Sequence, residues 1–117
     1  MDHTTPIQIQ TSDDREPLLR RWGAIAEVLA TARRELARTH PEHDLKMFGT
    51  YLEHNELGLA YEELARLVEV PPVDPLAALL LADAAALLDD DAARTRLTTL
   101  SRDAAARPEN PRLALRP

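Results

Sequence analysis

Six apolar residues, Leu18, Trp22, Ile25, Leu29, Ala32 and Leu36, recur at steps of four and three. That spacing places all six on one face of an α-helix running to about Thr39. Nothing else in the 117 residues constrains the fold as strongly. Asp13 or Asp14 can cap this helix and Pro17 suits its first turn, where no donor is lost. Arg20, Glu27, Arg34 and Arg38 fall elsewhere on the wheel, and Glu16 stands four residues before Arg20 in the favourable order. Ahead of the helix, residues 1–12 are polar, and Ile7-Gln8-Ile9-Gln10 alternates for only two cycles, so an extended arm is expected there.

Pro41 closes the first helix and can open a second, with Glu42 and Asp44 where the helix dipole favours acids. Leu45, Phe48, Tyr51 and Leu52 form its inward stripe, and it should stop near His54-Asn55, because Asn tolerates left-handed backbone. A third helix carries Leu57, Ala60, Tyr61, Leu64, Leu67 and Val68 on one side. Glu56, Glu62, Glu63, Arg66 and Glu69 mostly fall on the other. The segment Val70-Pro71-Pro72-Val73-Asp74-Pro75 cannot be helical through its middle. Asp74 then caps a fourth helix with Leu76, Leu79, Leu80, Ala84 and Leu87 apolar. Asp89-Asp90-Asp91 ends it, and Ala93, Leu97, Leu100 and Ala104 continue as a fifth.

The expected architecture is therefore one all-α domain, a compact bundle of about five helices with its core at residues 13–106 and a Pro/Arg-rich tail at 107–117. Composition agrees. Leu (20) and Ala (19) supply a third of the chain, whereas four Val, three Ile and four aromatics leave little material for a sheet. No apolar run approaches the ~18 residues of a membrane span, and Met1–Pro6 has no hydrophobic signal core. The chain has no cysteine, which excludes disulfides and thiol chemistry and suits the reducing cytoplasm, the expected location.

A formal charge of −6 argues against a nucleic-acid binder and favours a basic protein partner. Residues 42–69 hold seven acids against Lys46 and Arg66, a net of −5, whereas 102–117 carry a net of +2. Metal and cofactor sites are not expected. His40, His43, Asp44 and His54 are potential ligands, but Pro41 lies between the first two, no HExxH pattern occurs, and solvated or capping histidines explain them. Nor is catalysis expected. Glu53 and Glu56 could approach each other across a helix junction as a hydrolase pair, yet Glu recurs on nearly every exposed turn. No GxSxG or phosphate-binding loop exists. Gly23, Gly49 and Gly58 sit inside helical patterns, which suggests close helix approach. Trp22, on the apolar stripe, reads as a core anchor. Tyr51 and Tyr61 could pack their rings and still present a hydroxyl at the surface.

The segment YLEHNELGLAYEELA, Tyr51 to Ala65, resembles the signature of MafI-like immunity proteins, small helical partners of secreted bacterial polymorphic toxins. The match covers about fifteen contiguous residues, with helix-compatible flanks from about 42 to 70. A long helix before it and a helical region after it agree with the family's arrangement, whereas the Pro71-Pro72 linker and the 76–106 stretch carry no matching motif and the tail is idiosyncratic. The resemblance implies a protein without chemistry of its own that binds and neutralises a cognate toxin. Such toxins are commonly nucleases, whose basic active-site face an acidic helix can cover. Leu57, Gly58, Leu59, Ala60 and Leu64 look like packing residues of the motif. The contact candidates are Tyr51, Glu53, His54, Asn55, Glu56, Glu62 and Glu63, with Asp89–Asp91 ranked below them. The competing reading is a helical adaptor or self-associating module, because the 18–36 stripe and the Leu-rich 76–81 run can exceed what one small core buries. A homo-oligomer is possible but not indicated.

Overall fold

The computed structural model describes residues 4–107, with side chains from residue 15 onward. Among the described residues it is an all-α bundle: α1 (Thr4–Thr39), α2 (Lys46–Glu53), α3 (Leu57–Val68), α4 (Pro75–Leu87) and α5 (Asp91–Ala105). The central helix is α4, which packs against α1, α3 and α5, while α2 is held on α3. Its position follows from its sequence, PLAALLLADAAAL, which is apolar nearly all round and has to be covered on several sides.

The stripe of α3 is buried as its spacing requires: Leu57, Ala60, Tyr61, Leu64, Leu67 and Val68 all enter the core. On α5, Ala93, Leu97 and Ala104 are buried, together with Ser101, whose hydroxyl donates to the Pro75 carbonyl at 2.7 Å. Phe48 anchors α2, with Leu45, Tyr51 and Leu52 packed partly against the core. The Arg33 guanidinium lies 6.0 Å from the centre of the Phe48 ring.

Asp74 is the polar knot of the bundle. It is 2% exposed, accepts hydrogen bonds from the amides of Leu76 and Ala77 at the start of α4, and receives the Thr39 hydroxyl from the end of α1 at 3.0 Å. The capping role read from Asp74-Pro75 thus also joins two helices. Beside it, His40 is buried rather than solvated, and its Nε2 donates to the Val70 carbonyl at 2.7 Å.

Several expectations are corrected. Residues 4–12 are helical, not an extended arm, and Pro17 lies inside α1 rather than in its first turn. Pro6 takes the early position that tolerates a missing donor. Pro17 leaves one carbonyl without an amide, where residues 15–20 are all exposed and water can replace it. Helix α2 begins at Lys46, not at Pro41, because the Asp44 carboxylate takes the Lys46 amide at 2.9 Å and holds the preceding residues in a turn. On α4 the buried face is Ala77, Ala78, Leu81, Ala82, Ala84 and Ala85, whereas Leu76 and Leu79 are exposed. Alanines occupy the crowded side because a short side chain lets neighbouring helices approach. The glycines mark no such approach: a Cβ added at Gly23, Gly49 or Gly58 would meet nothing within 4 Å. All but the first residue of the predicted 107–117 tail lies outside the described residues.

Candidate functional site

The burial of α1 changes halfway along the stripe. Ile25, Leu29, Ala32 and Leu36 are buried, but Leu18 is 43% and Trp22 37% exposed, and Leu19 is exposed beside them. The core-anchor expectation for Trp22 is therefore corrected. The cause is length: a 13-residue α4 spans about 20 Å at 1.5 Å per residue, and a 12-residue α3 slightly less. Neither is long enough to cover the whole stripe.

Where α1 outruns its partners, two turns meet it. The first joins α2 to α3. Asn55 takes φ 58°, its amide donates to the Leu52 carbonyl at 3.1 Å, and the Glu56 amide donates to Tyr51 at 2.8 Å. The second joins α4 to α5 with the same pattern: Asp89 at φ 62°, its amide to Ala86 at 3.1 Å, and the Asp90 amide to Ala85 at 2.8 Å. Both are Schellman closures, in which a left-handed residue lets the chain satisfy the last helical carbonyls and turn sharply. The sequence reading anticipated the first from Asn55.

Leu18, Trp22, Asn55, Gly58, Leu88 and Asp89 line a groove of about 410 Å³ between α1 and these two turns. Arg21 pins it: its Nε donates to the Leu87 carbonyl at 2.7 Å, and its guanidinium pairs with Asp89 at 2.6 Å. The groove thus has apolar walls, an exposed indole and a polar end.

The predicted contact residues occupy this end of the molecule. Glu53, His54, Asn55 and Glu56 are all exposed on the α2–α3 turn, and Glu62 is exposed one turn into α3. Glu63 is half-buried and pairs with Arg66. Tyr51 is half-buried against the core. Asp89–Asp91 stand with this group rather than apart from it, because the two turns are neighbours. Asp90 caps α5 through the Ala93 amide at 3.1 Å, and Asp91 pairs with Arg94 at 3.7 Å. Among the described residues, Glu53, Glu56, Glu62 and Asp90 form no ion pair.

Tyr61 lies on the buried stripe of α3, as its spacing requires. It is 8% exposed, so its hydroxyl is not presented at the surface, and the oxygen is buried without a hydrogen-bond partner. An unpaired buried hydroxyl costs about 1–3 kcal/mol. Desolvation raises its pKa above 10.0; Arg96 opposes that shift, and Asp90, Glu62 and Glu69 add to it. Periodicity identified Tyr61 as inward-facing but carries no information about whether an inward hydroxyl finds an acceptor.

Among the described residues no group of three or more His, Asp or Glu is placed to hold a metal ion, and no helix is long and apolar enough to cross a membrane. His40 and His43 have ring centres 5.6 Å apart, but His40 is committed to Val70. Comparison with protein-family models, with curated proteins and with solved structures gave no match.

Proposed function

We propose that this chain is an immunity protein, one that binds a cognate secreted bacterial toxin of basic, nuclease type in the cytoplasm of the producing cell and blocks it without chemistry of its own. The observation that carries this reading is the meeting of two kinds of surface at one end of the bundle. Among the described residues Glu53, Glu56, Glu62 and Asp90 form no ion pair; Glu53, Glu56 and Asp90 adjoin the two turns at a groove edged by exposed Trp22 and Leu18, and Glu62 lines the cleft between α3 and α5. Separated charge of one sign speeds encounter with a basic partner. An aromatic ring at the centre of such a surface is the usual source of slow dissociation. The resemblance of residues 51–65 to MafI-like immunity proteins supports the same reading, because that segment supplies the α2–α3 turn.

The test is co-expression with the toxin encoded by the neighbouring gene. Protected cells and a complex on size exclusion are expected; unabated killing with no complex would remove the proposal. Changing Glu56, Glu62 and Glu63 to Lys should slow association and flatten its salt dependence, whereas Trp22→Ala should act on dissociation. The exposed Leu18-Leu19-Trp22 segment also favours a second reading, self-association through α1. Light scattering separates the two: a monomer at high concentration speaks against self-association.

A further inference from the structure

Helices α3 and α5 both pack on α4 and leave a cleft of about 660 Å³ between them. Ala65, Ala92 and Ala93 lie along it, and their short side chains leave it open. Its volume is that of an ordinary ligand pocket. Charge is unevenly divided along it. Arg96 pairs with Glu69 at 3.7 Å, and Arg66 is taken by Glu63. Glu62 and Asp90, nearer the starts of α3 and α5, have no counter-ion among the described residues, and Tyr61 lies under the influence of Arg96 as well as of both carboxylates.

Tyr61 turns this from an acidic patch into a site. Its oxygen is buried, lacks any partner, and lies among the charges of the cleft, because Arg96, Asp90, Glu62 and Glu69 all act on its ionisation. A phenol oxygen with two lone pairs and two nearby carboxylates calls for a group rich in donors and positively charged. A guanidinium, planar with five N–H donors, can reach several acceptors at once, while an ammonium is a compact point charge. An anionic ligand would meet Glu62 and Asp90 and is disfavoured.

We infer that the Tyr61 end of the α3–α5 cleft is a socket for an arginine side chain of the partner protein, with the Tyr61 oxygen accepting one N–H and the Glu62 and Asp90 carboxylates balancing the charge. This rests on the proposed function for the identity of the partner, but the socket can be tested without it. Leaving a buried oxygen unpaired in the free protein is a cost that such binding would remove.

The probe is N-acetyl-arginine N-methylamide, titrated into the whole chain and followed by the backbone amide signals of Ala65, Ala92 and Ala93. The neutral citrulline analogue is the control. Weak, saturable, salt-sensitive shifts confined to the cleft are expected, with citrulline binding at least about tenfold weaker. Tyr61→Phe should weaken the arginine probe about tenfold while folding at least as stably as the wild type, since it deletes an unsatisfied hydroxyl. Glu62→Gln, at an exposed position, should also weaken it. Equal binding of citrulline, shifts elsewhere on the surface, or unchanged binding by Tyr61→Phe would each overturn the socket. With the toxin itself the two proposals part. A complex indifferent to Tyr61→Phe refutes the socket and leaves the immunity reading standing. A cleft that takes the arginine probe in a chain that ignores the toxin does the reverse.

Discussion

Leu29→Ala and Leu18→Ala delete the same atoms from the same stripe of α1, and they should have very different consequences. Leu29 is 0% exposed and is enclosed by the core of α1, α3 and α4. Its truncation removes transfer energy and leaves a cavity, together about 3–5 kcal/mol. Leu and Ala have similar helix propensities, so the difference is one of packing alone. Leu18, at 43% exposed, lies on the open groove where α1 has outrun its neighbours. Its loss should stay below about 1 kcal/mol.

The assay is urea unfolding followed by far-ultraviolet circular dichroism. At a slope of about 1.5 kcal/mol per molar, Leu29→Ala should lower the midpoint by about 2–3 M, and Leu18→Ala by well under 1 M, both with unchanged slopes. The order should reverse in binding, where Leu18→Ala weakens the partner complex and the folded fraction of Leu29→Ala does not. If Leu18→Ala proved as destabilising as Leu29→Ala, the first half of the stripe would be covered in solution. A midpoint rising with protein concentration would then identify a second copy as the cover, and the argument from helix lengths would be wrong.

Three further outcomes are expected. Asp74→Ala should cost about 2–4 kcal/mol in the same unfolding assay, because it removes the cap of α4 and the link to α1, leaving the Thr39 hydroxyl only the Glu35 carbonyl of its own helix; Asp74→Asn should recover part of the loss. Tyr61 should ionise above 10.0 in an ultraviolet absorbance titration, and the late transition should vanish in Tyr61→Phe. Because the folded state holds this proton more tightly, its contribution to stability is complete below pH about 10 and is lost as pH rises through the raised folded value; a flat difference between wild type and Tyr61→Phe across that range would refute it. Glu53→Lys should raise the stability of the free protein by about 0.5–1 kcal/mol, since Glu53 is the last residue of α2, where the helix dipole disfavours an acid, and should weaken partner binding measured by calorimetry.

How much of this was legible in the sequence depended on whether a helix had a single apolar face. Helix α3 did, and every residue of its stripe is buried. The face of α1 was also read correctly, but its covered length was not, because that depends on how far α3 and α4 extend. Helix α4 is apolar on nearly all sides, with Asp83 its one charge, so its leucines gave no reliable direction and the alanines won the crowded side. The start of α1 is not legible, because Pro17 suits a first turn and the polar residues before it read as an extended arm, whereas the helix begins at Thr4. Exposure of Glu53, Glu56 and Glu62 followed from local pattern alone. The proximity of Asn55 to Asp89 and the stranded Tyr61 hydroxyl did not, since both arise only when α4 brings separate segments together.

The acids at this end of the bundle can be divided by what the fold requires of them. Asp90 caps α5, Asp91 lies in its first turn, and Glu56 is the residue at the start of α3; at all three positions a negative charge suits the helix N-terminus. Helix formation alone would select them. Glu53 is different, because it stands at the wrong end of α2 for its charge. So is Glu62, which meets no cation among the described residues although Arg66 lies four residues on and is engaged by Glu63 instead. Asp89 accepts a left-handed backbone in addition to its pairing with Arg21. A fold optimised only for its own stability would place glycine at Asp89 and a cation at Glu53. That these costs gather at the end where Trp22 is exposed and the Tyr61 hydroxyl lacks a hydrogen-bond partner is why the carboxylates most informative about function are Glu53 and Glu62. Capping accounts for Asp91 without any partner, whereas Asp90 both caps α5 and lines the α3–α5 cleft.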